Sequence, residues 1–267
     1  MRLPFTKMEG CGNDYVYVDA VAHPFPMARA GELARRWSER HFGVGADGLI
    51  ALSKDPDGAL RMHMWNADGS RAEMCGNGLR CLARFAADRG HATADTFSVV
   101  TDAGAREVTL LDGDDVRADM GLVTVAPPQQ IEVLGAVREF TTGDAGNPHA
   151  VTFVDDVEAA PVGAVGAAMQ EHPDFADGVN VEFVQVVDDD RLRQRTYERG
   201  SGETLACGTG AAVAALAARA RGNIQGPATK VELRGGTLSV LAAGPNLAIV
   251  GPARTVFSGE LELQENL

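Results

Sequence analysis

The sequence is short of several things that enzymes often rely on. Lysine occurs only at positions 7, 54 and 230, none of them in a glycine-rich or cysteine-containing turn. A pyridoxal-phosphate enzyme needs a lysine for its Schiff base, so that chemistry is disfavoured and no cofactor is assigned. The four cysteines, at 11, 75, 81 and 207, include no C-x-x-C pair, which excludes a disulfide framework and a zinc or thioredoxin-like site. Reduced thiols in a reducing compartment fit this usage. The six histidines show no H-E-x-x-H or similar spacing, and no metal is assigned. Basic residues are outnumbered, 24 Lys and Arg against 37 Asp and Glu, and the net charge of −13 is spread along the chain. This argues against a nucleic-acid or anionic-membrane partner. No apolar run approaches the about 20 residues of a membrane span, and Met1-Arg2-Leu3-Pro4-Phe5 carries no apolar leader core, so a cytoplasmic protein is expected.

What is present is a repeat. Gly12-Asn13-Asp14-Tyr15-Val16 resembles Gly146-Asn147-Pro148-His149-Ala150-Val151, and Ala46-Asp47-Gly48-Leu49 resembles Ala176-Asp177-Gly178-Val179. Arg61 to Trp65 parallels Arg193 to Tyr197, and Cys75-Gly76-Asn77-Gly78 parallels Cys207-Gly208-Thr209-Gly210. Four anchors in one order, 130 to 134 residues apart, mark a duplicated domain. The expected boundaries are 1–125 and 126–256, with a Pro-rich join near Ala126-Pro127-Pro128 and the segment 257–267 returning to the first domain. Short β-rich segments, separated by Gly, Asp, Asn or Pro turns, alternate with helical patterns near 28–40, 79–89, 159–171 and 211–221. The last helix is apolar on every side and should be buried on every side, so an α+β fold with strands wrapped around a helix is expected.

Cys75 and Cys207 each stand at the start of a helix, beside glycines that let a ligand approach the backbone. Unpaired N–H groups and the helix dipole favour an anion there, which predicts a thiol shifted from about 8.5 toward neutrality and a cradle for a carboxylate. The alternative for any single cysteine is a small buried hydrophobe. Cys81, inside its helix, and Cys11, without a counterpart, are read that way. Gly43-Val44-Gly45-Ala46-Asp47-Gly48 matches G-x-G-x-x-G, but a helix precedes it and a strand follows, the reverse of a dinucleotide site. Asn13, Asn66, Asn77, Asn147 and Asn180 sit in turns or at strand starts. Asparagine is common there for backbone reasons, yet amides that donate and accept also suit a substrate bearing ammonium and carboxylate groups. His149 is either a turn cap or a neighbour of a thiol. Glu198-Arg199 is either a surface ion pair or a carboxylate clamp.

Two opposed thiols can do what one cannot: one removes a proton from one face of a carbon while the other returns a proton to the opposite face. Helix N-termini aimed at an α-carboxylate would stabilise the charge that develops. At this point the chain resembles the cofactor-independent diaminopimelate epimerases, within a wider group that includes proline racemase. The resemblance rests on Met8-Glu9-Gly10-Cys11-Gly12-Asn13-Asp14, residues 43–48, Asn66-Ala67-Asp68-Gly69-Ser70, Glu73-Met74-Cys75-Gly76-Asn77-Gly78, Gly146-Asn147-Pro148-His149, Val179-Asn180, and the run from Glu198-Arg199-Gly200 to Cys207-Gly208-Thr209-Gly210. It implies two pseudo-symmetric domains, each a β-barrel around a central helix, with the site between them. It implies interconversion of LL- and meso-diaminopimelate, a diamino diacid, without a cofactor, with a homodimer as the assembly considered. Carried over by position, Cys75 and Cys207 are the acid/base pair, with His149 and Glu198 tuning the thiols. Asn13, Asn66, Gly76, Asn77, Asn147, Asn180, Glu198, Arg199, Gly208 and Thr209 bind substrate. Cys11 stands where the family commonly has leucine. Asn77 stands where proline racemase relatives usually have histidine, which favours the epimerase branch over a histidine- or proline-type racemase; a PhzF-like member would be expected to lack one cysteine.

Overall fold

The computed structural model describes residues 2–243 and 246–263. In chain order it contains β1 (Arg2–Gly10), β2 (Asn13–Asp19), α1 (Ala30–Ser38), β3 (Gly48–Lys54), β4 (Leu60–Asn66), β5 (Arg71–Ala72), α2 (Gly76–Asp88), β6 (Thr96–Thr101), β7 (Gly104–Leu110) and β8 (Asp115–Gly121). There follow β9 (Thr124–Val125), β10 (Gln129–Val133), β11 (Ala136–Asp144), β12 (Pro148–Phe153), α3 (Val162–Gln170), β13 (Asn180–Val186), β14 (Arg191–Glu198) and β15 (Gly202–Thr204). The chain continues with α4 (Gly208–Ala220), β16 (Ala228–Leu233), β17 (Gly236–Ala243), β18 (Asn246–Pro252) and β19 (Arg254–Glu262). It divides into two compact units, Met1–Ala118 with Gly251–Leu267, and Asp119–Val250. The Pro-rich join lies inside the second unit rather than at its edge, because Thr124 and Val125 already pair with Asp144 and Gly143 of β11. Of the segment 257–267, residues 264–267 lie outside the described residues.

Each unit repeats one plan. In unit 1, β2 and β3 run parallel, joined through α1, with Tyr15 opposite Gly48. In unit 2, β12 and β13 run parallel, joined through α3, with His149 opposite Asn180. The two strand pairs therefore match Gly48 to Asn180, and the likeness of 46–49 to 176–179 read from the sequence is a slip of two residues. One face of each sheet packs on the crossover helix. Leu33 and Trp37 of α1 meet Val16, Val18, Leu49 and Ala51, while Val165 and Met169 of α3 meet Val181 and Phe183. The other face wraps the second helix. α2 touches β1, β2, β3 and β7, and α4 touches strands from β9 to β17, so each unit is a β-barrel around a helix.

Packing explains the sequence of these central helices. α4 buries Ala211, Ala212, Ala214, Ala215, Ala217 and Ala218, small side chains that let strands close in from every direction. Both helices begin three residues earlier than their apolar pattern suggests, because Gly76 and Gly78, and Gly208 and Gly210, are helical. A Cβ on Gly78 would lie 2.7 Å from Ile50 Cδ1, and one on Gly210 would lie 2.4 Å from Glu182 Oε1. Among strands that the sequence pattern does not announce, β1 carries Pro4 and β19 presents mostly exposed residues, yet the two pair over most of their length.

Gly48 is the tightest point of unit 1, where a Cβ would stand 2.2 Å from the Trp65 carbonyl oxygen. Backbone cannot move aside as a side-chain tip can. Gly48→Ala is therefore expected to destabilise the protein by about 1–3 kcal/mol, read as a lower urea midpoint; an unchanged midpoint would contradict this packing.

Candidate active site

In unit 1 the site starts from a hairpin. Cys11 and Gly12, between β1 and β2, both have positive φ, 55° and 80°, the pattern of a type I′ turn. The Gly12 N–H donates to Glu9 Oε2 at 2.8 Å. The turn delivers Asn13, whose amide is engaged at both ends. Its Nδ2 donates to Asp47 Oδ2 at 2.7 Å and to the Tyr15 hydroxyl at 3.4 Å, while its Oδ1 accepts from the Cys75 thiol at 3.3 Å and from Asn77 Nδ2 at 3.4 Å. Cys75 is the N-cap of α2, in extended conformation, and its Sγ accepts the Gly78 N–H at 3.4 Å. Asn66 lies at the end of β4 and bonds Ser70 Oγ at 3.0 Å; its neighbour Ala67 donates N–H to the Asp47 carbonyl. Burial raises the Asp47 carboxyl above the usual range, with the Asn13 amide opposing and the Asp14 charge adding to it. For Asp14 burial also pushes up, but hydrogen bonds from Arg40 and Lys7 outweigh it and hold the carboxyl low.

Unit 2 repeats the cap. Cys207 precedes α4, its Sγ accepts the Gly210 N–H at 3.4 Å, and the Thr209 hydroxyl lies 3.4 Å from the sulfur. The expectation of a thiol shifted toward neutrality fails here. Burial pushes the Cys207 thiol well up, the Glu198 and Glu182 carboxylates push the same way, and Thr209 and the Gly210 N–H only partly oppose them. The helix start alone does not decide the charge, because the surroundings are apolar and acidic. His149 bonds Asn147 Oδ1 through Nε2 at 2.9 Å and Glu182 Oε1 through Nδ1 at 2.8 Å. Asn180 bridges strands, donating to the Pro148 carbonyl and accepting the Arg199 N–H, each at 3.0 Å. Glu198 accepts from the Thr204 hydroxyl. The Arg199 side chain donates to the Asp177 carbonyl and makes no ion pair among the described residues, which removes the surface-pair reading. It lines an open pocket of about 680 Å³ with Gln170, Asp177, Tyr197 and Ser201.

The structure thus links Cys75, Asn13 and Asn77 within unit 1, Asn147 with His149, Asn180 with Arg199, and Cys207 with Thr209 within unit 2. Three contributors escaped the sequence reading: Asp47, Tyr15 and Glu182. Asp47 hid in a glycine-rich motif judged for nucleotide binding. Glu182 had a signal, a lone acid in the otherwise apolar run Val181 to Val184, buried at 0% exposure. Cys11 and Cys81 are buried, and burial raises both thiols, Cys81 to about 12. The one group of possible metal ligands among the described residues is Asp188, Asp189 and Asp190, all exposed.

This geometry agrees with what comparison with known proteins finds. The family model for diaminopimelate epimerase matches residues 5–126 and 141–256. The diaminopimelate epimerase of Leptospira biflexa is 40% identical over 98% of this chain and 100% of its own length. That of Aromatoleum aromaticum is 42% identical, with the same coverage. Among solved structures, a phenazine biosynthesis protein of the PhzF family from Enterococcus faecalis superposes with a TM-score of 0.77 at 17% identity, covering 98% of this chain and 100% of that one, a likeness of fold alone. With matches over nearly the whole of both units, the chain belongs to the diaminopimelate epimerase family.

Proposed function

We propose that Cys75 and Cys207 are the acid/base pair of a cofactor-independent epimerase that interconverts LL-2,6-diaminopimelate and meso-diaminopimelate, a step of lysine and peptidoglycan precursor biosynthesis. The observation that carries the reading is the duplicated cap: two units, each with a cysteine as N-cap whose sulfur sits on the third N–H of a buried helix. A thiol is monoprotic, so a pair in which one holds its proton and the other has lost it performs deprotonation and reprotonation on opposite faces and inverts the carbon. Burial and the Glu198 and Glu182 carboxylates favour the protonated form of the Cys207 thiol.

The α-proton of an amino acid is only weakly acidic, so the developing charge on the α-carboxylate needs donors. Gly76 and Asn77, and Gly208 and Thr209, are the first two residues of their helices, where backbone N–H groups face the helix start. They serve as that cradle. Asn13, Asn66, Asn147 and Asn180 orient the substrate, Arg199 takes a carboxylate with its guanidinium, and His149 and Glu198 tune the thiols. The compartment is the cytoplasm, where both thiols stay reduced, and the assembly considered is a homodimer. No helix among the described residues is long and apolar enough to cross a membrane.

The test is proton NMR in D2O with reductant and no added cofactor, offering LL-diaminopimelate, L-histidine and L-proline separately. Loss of the α-proton signal with diaminopimelate alone, and growth of the meso form, is expected; exchange with histidine or proline instead would move the chain to a sister activity. Cys75→Ser and Cys207→Ser should each lower turnover by about 10²–10⁴-fold, since a hydroxyl is a far weaker acid than a thiol. A single variant at the wild-type rate would sink the pair.

A second expectation follows from the raised Cys207 thiol. A group held protonated by its surroundings yields its thiolate only as pH climbs above the ordinary thiol range. Iodoacetamide should therefore label Cys207 slowly at pH 7, with the rate still rising beyond pH 9, as mapped by mass spectrometry. Labelling equally fast at both would contradict the assignment.

A further inference from the structure

Under the two thiols the duplicated strands carry different pairs. Unit 1 has Tyr15 on β2 and Ile50 on β3; unit 2 has His149 on β12 and Glu182 on β13, at matching positions of the strand register. The same match appears at the helices, where Gly78 packs on Ile50 and Gly210 on Glu182. His149 and Glu182 have side chains 0% exposed, and Glu182 Oε2 is buried without a hydrogen-bond partner. A buried ion pair is a poor way to stabilise a fold. Unit 1 builds the same framework from a tyrosine and an isoleucine, so the architecture does not require the charges.

Donor counting shows what the pair does. Nε2 of His149 faces Asn147 Oδ1 and Nδ1 faces Glu182 Oε1. An amide oxygen only accepts, and so does Glu182 when ionised; with that carboxylate in place, both acceptors are matched when each ring nitrogen carries hydrogen. In unit 1 the tyrosine hydroxyl instead accepts from Asn13 Nδ2. The equivalent asparagines consequently stand in opposite senses. Asn13 turns its oxygen to the Cys75 thiol; Asn147 gives its oxygen to the histidine and keeps its NH2 hydrogens for a ligand.

We propose that Glu182 is a positioning residue: by balancing His149 it keeps both ring protons in place, which locks Asn147 with its amide NH2 outward as a donor to the substrate carboxylate. The proposal rests on the epimerase reading above. Without the carboxylate charge a lone imidazolium would be buried, which is costly; a neutral ring has one N–H, and where the substituted amide's oxygen takes it at Nδ1, Nε2 becomes an acceptor and Asn147 turns its NH2 inward. A donor is then lost where negative charge grows as the α-proton leaves, so the effect falls on turnover more than on binding. The titratable groups that act on one another beside Glu182 are Cys207 and Glu198. Both are unaltered in the test variants.

The experiment compares Glu182→Gln, which keeps shape and removes charge, with Glu182→Asp, which restores charge. For the Gln variant kcat should fall about tenfold or more with KM within about threefold, and the Asp variant should recover part of the loss. A ¹⁵N spectrum should show two ring N–H groups on His149 in the wild-type and Asp proteins and one in the Gln protein. Wild-type kcat in the Gln variant, or two ring N–H groups retained there, overturns the proposal. If Gln disturbs folding, the double variant His149→Tyr with Glu182→Ile copies the unit 1 pair; it should fold and lose kcat to the same degree, and full kcat in it also overturns the proposal. A wild-type protein inactive on diaminopimelate would sink the epimerase reading, while the ring spectra would still decide the role of Glu182.

Discussion

Each unit depends on a helix start with no room for a side chain at its third residue. At Gly78 and Gly210 the neighbouring strand comes so near that even a methyl group would collide with Ile50 or with the Glu182 carboxylate. The closeness keeps the first turn buried against the sheet. A cysteine in the cap position then sits on the third N–H with its sulfur held at one place. Ser, Thr, Asp or Asn are the usual N-caps. A cysteine there exchanges some capping strength for a thiol that can take and give a proton.

Around this shared frame the two halves have diverged in charge. Unit 1 surrounds its thiol with Asn13, Asn77 and Tyr15, steadied by Asp47. Unit 2 places carboxylates near its thiol, at Glu182 and Glu198, and a histidine between Glu182 and Asn147. A reaction that runs in both directions through two monoprotic groups needs them in opposite protonation states at every moment. Two identical surroundings would favour identical states. Under the proposed function, unequal surroundings on an equal framework give the two thiols unequal tendencies to hold a proton.

Much of this was legible in the sequence, for reasons tied to particular residues. The cysteine, glycine and apolar-helix run occurs twice, and repetition turns a weak local pattern into a strong one. The all-round apolar face of residues 211–218 announced a buried helix, which the strands do wrap. Other features were not legible. β1 contains Pro4, a residue that argues against a paired strand, and β19 shows solvent most of its residues, so neither is announced by its sequence. The likeness of 176–179 to 46–49 suggested a register that pairing corrects by two residues. The raised Cys207 thiol is not legible from a helix start, because the burial and the acids that push it up are brought there only by the fold. Glu182 lay 25 residues from Cys207 in sequence, and nothing local connects them.

The proposed function stands on two thiols serving opposite faces of one carbon. The most direct measurement incubates LL-diaminopimelate with the enzyme in D2O, stops at low conversion, and reads α-deuterium in the meso product and in the recovered substrate by mass spectrometry. With separate bases, the proton removed and the deuteron returned belong to different groups, so the product is labelled and the recovered LL form is not. Deuterium appearing equally in both would mean that one base serves both faces, and would contradict the account.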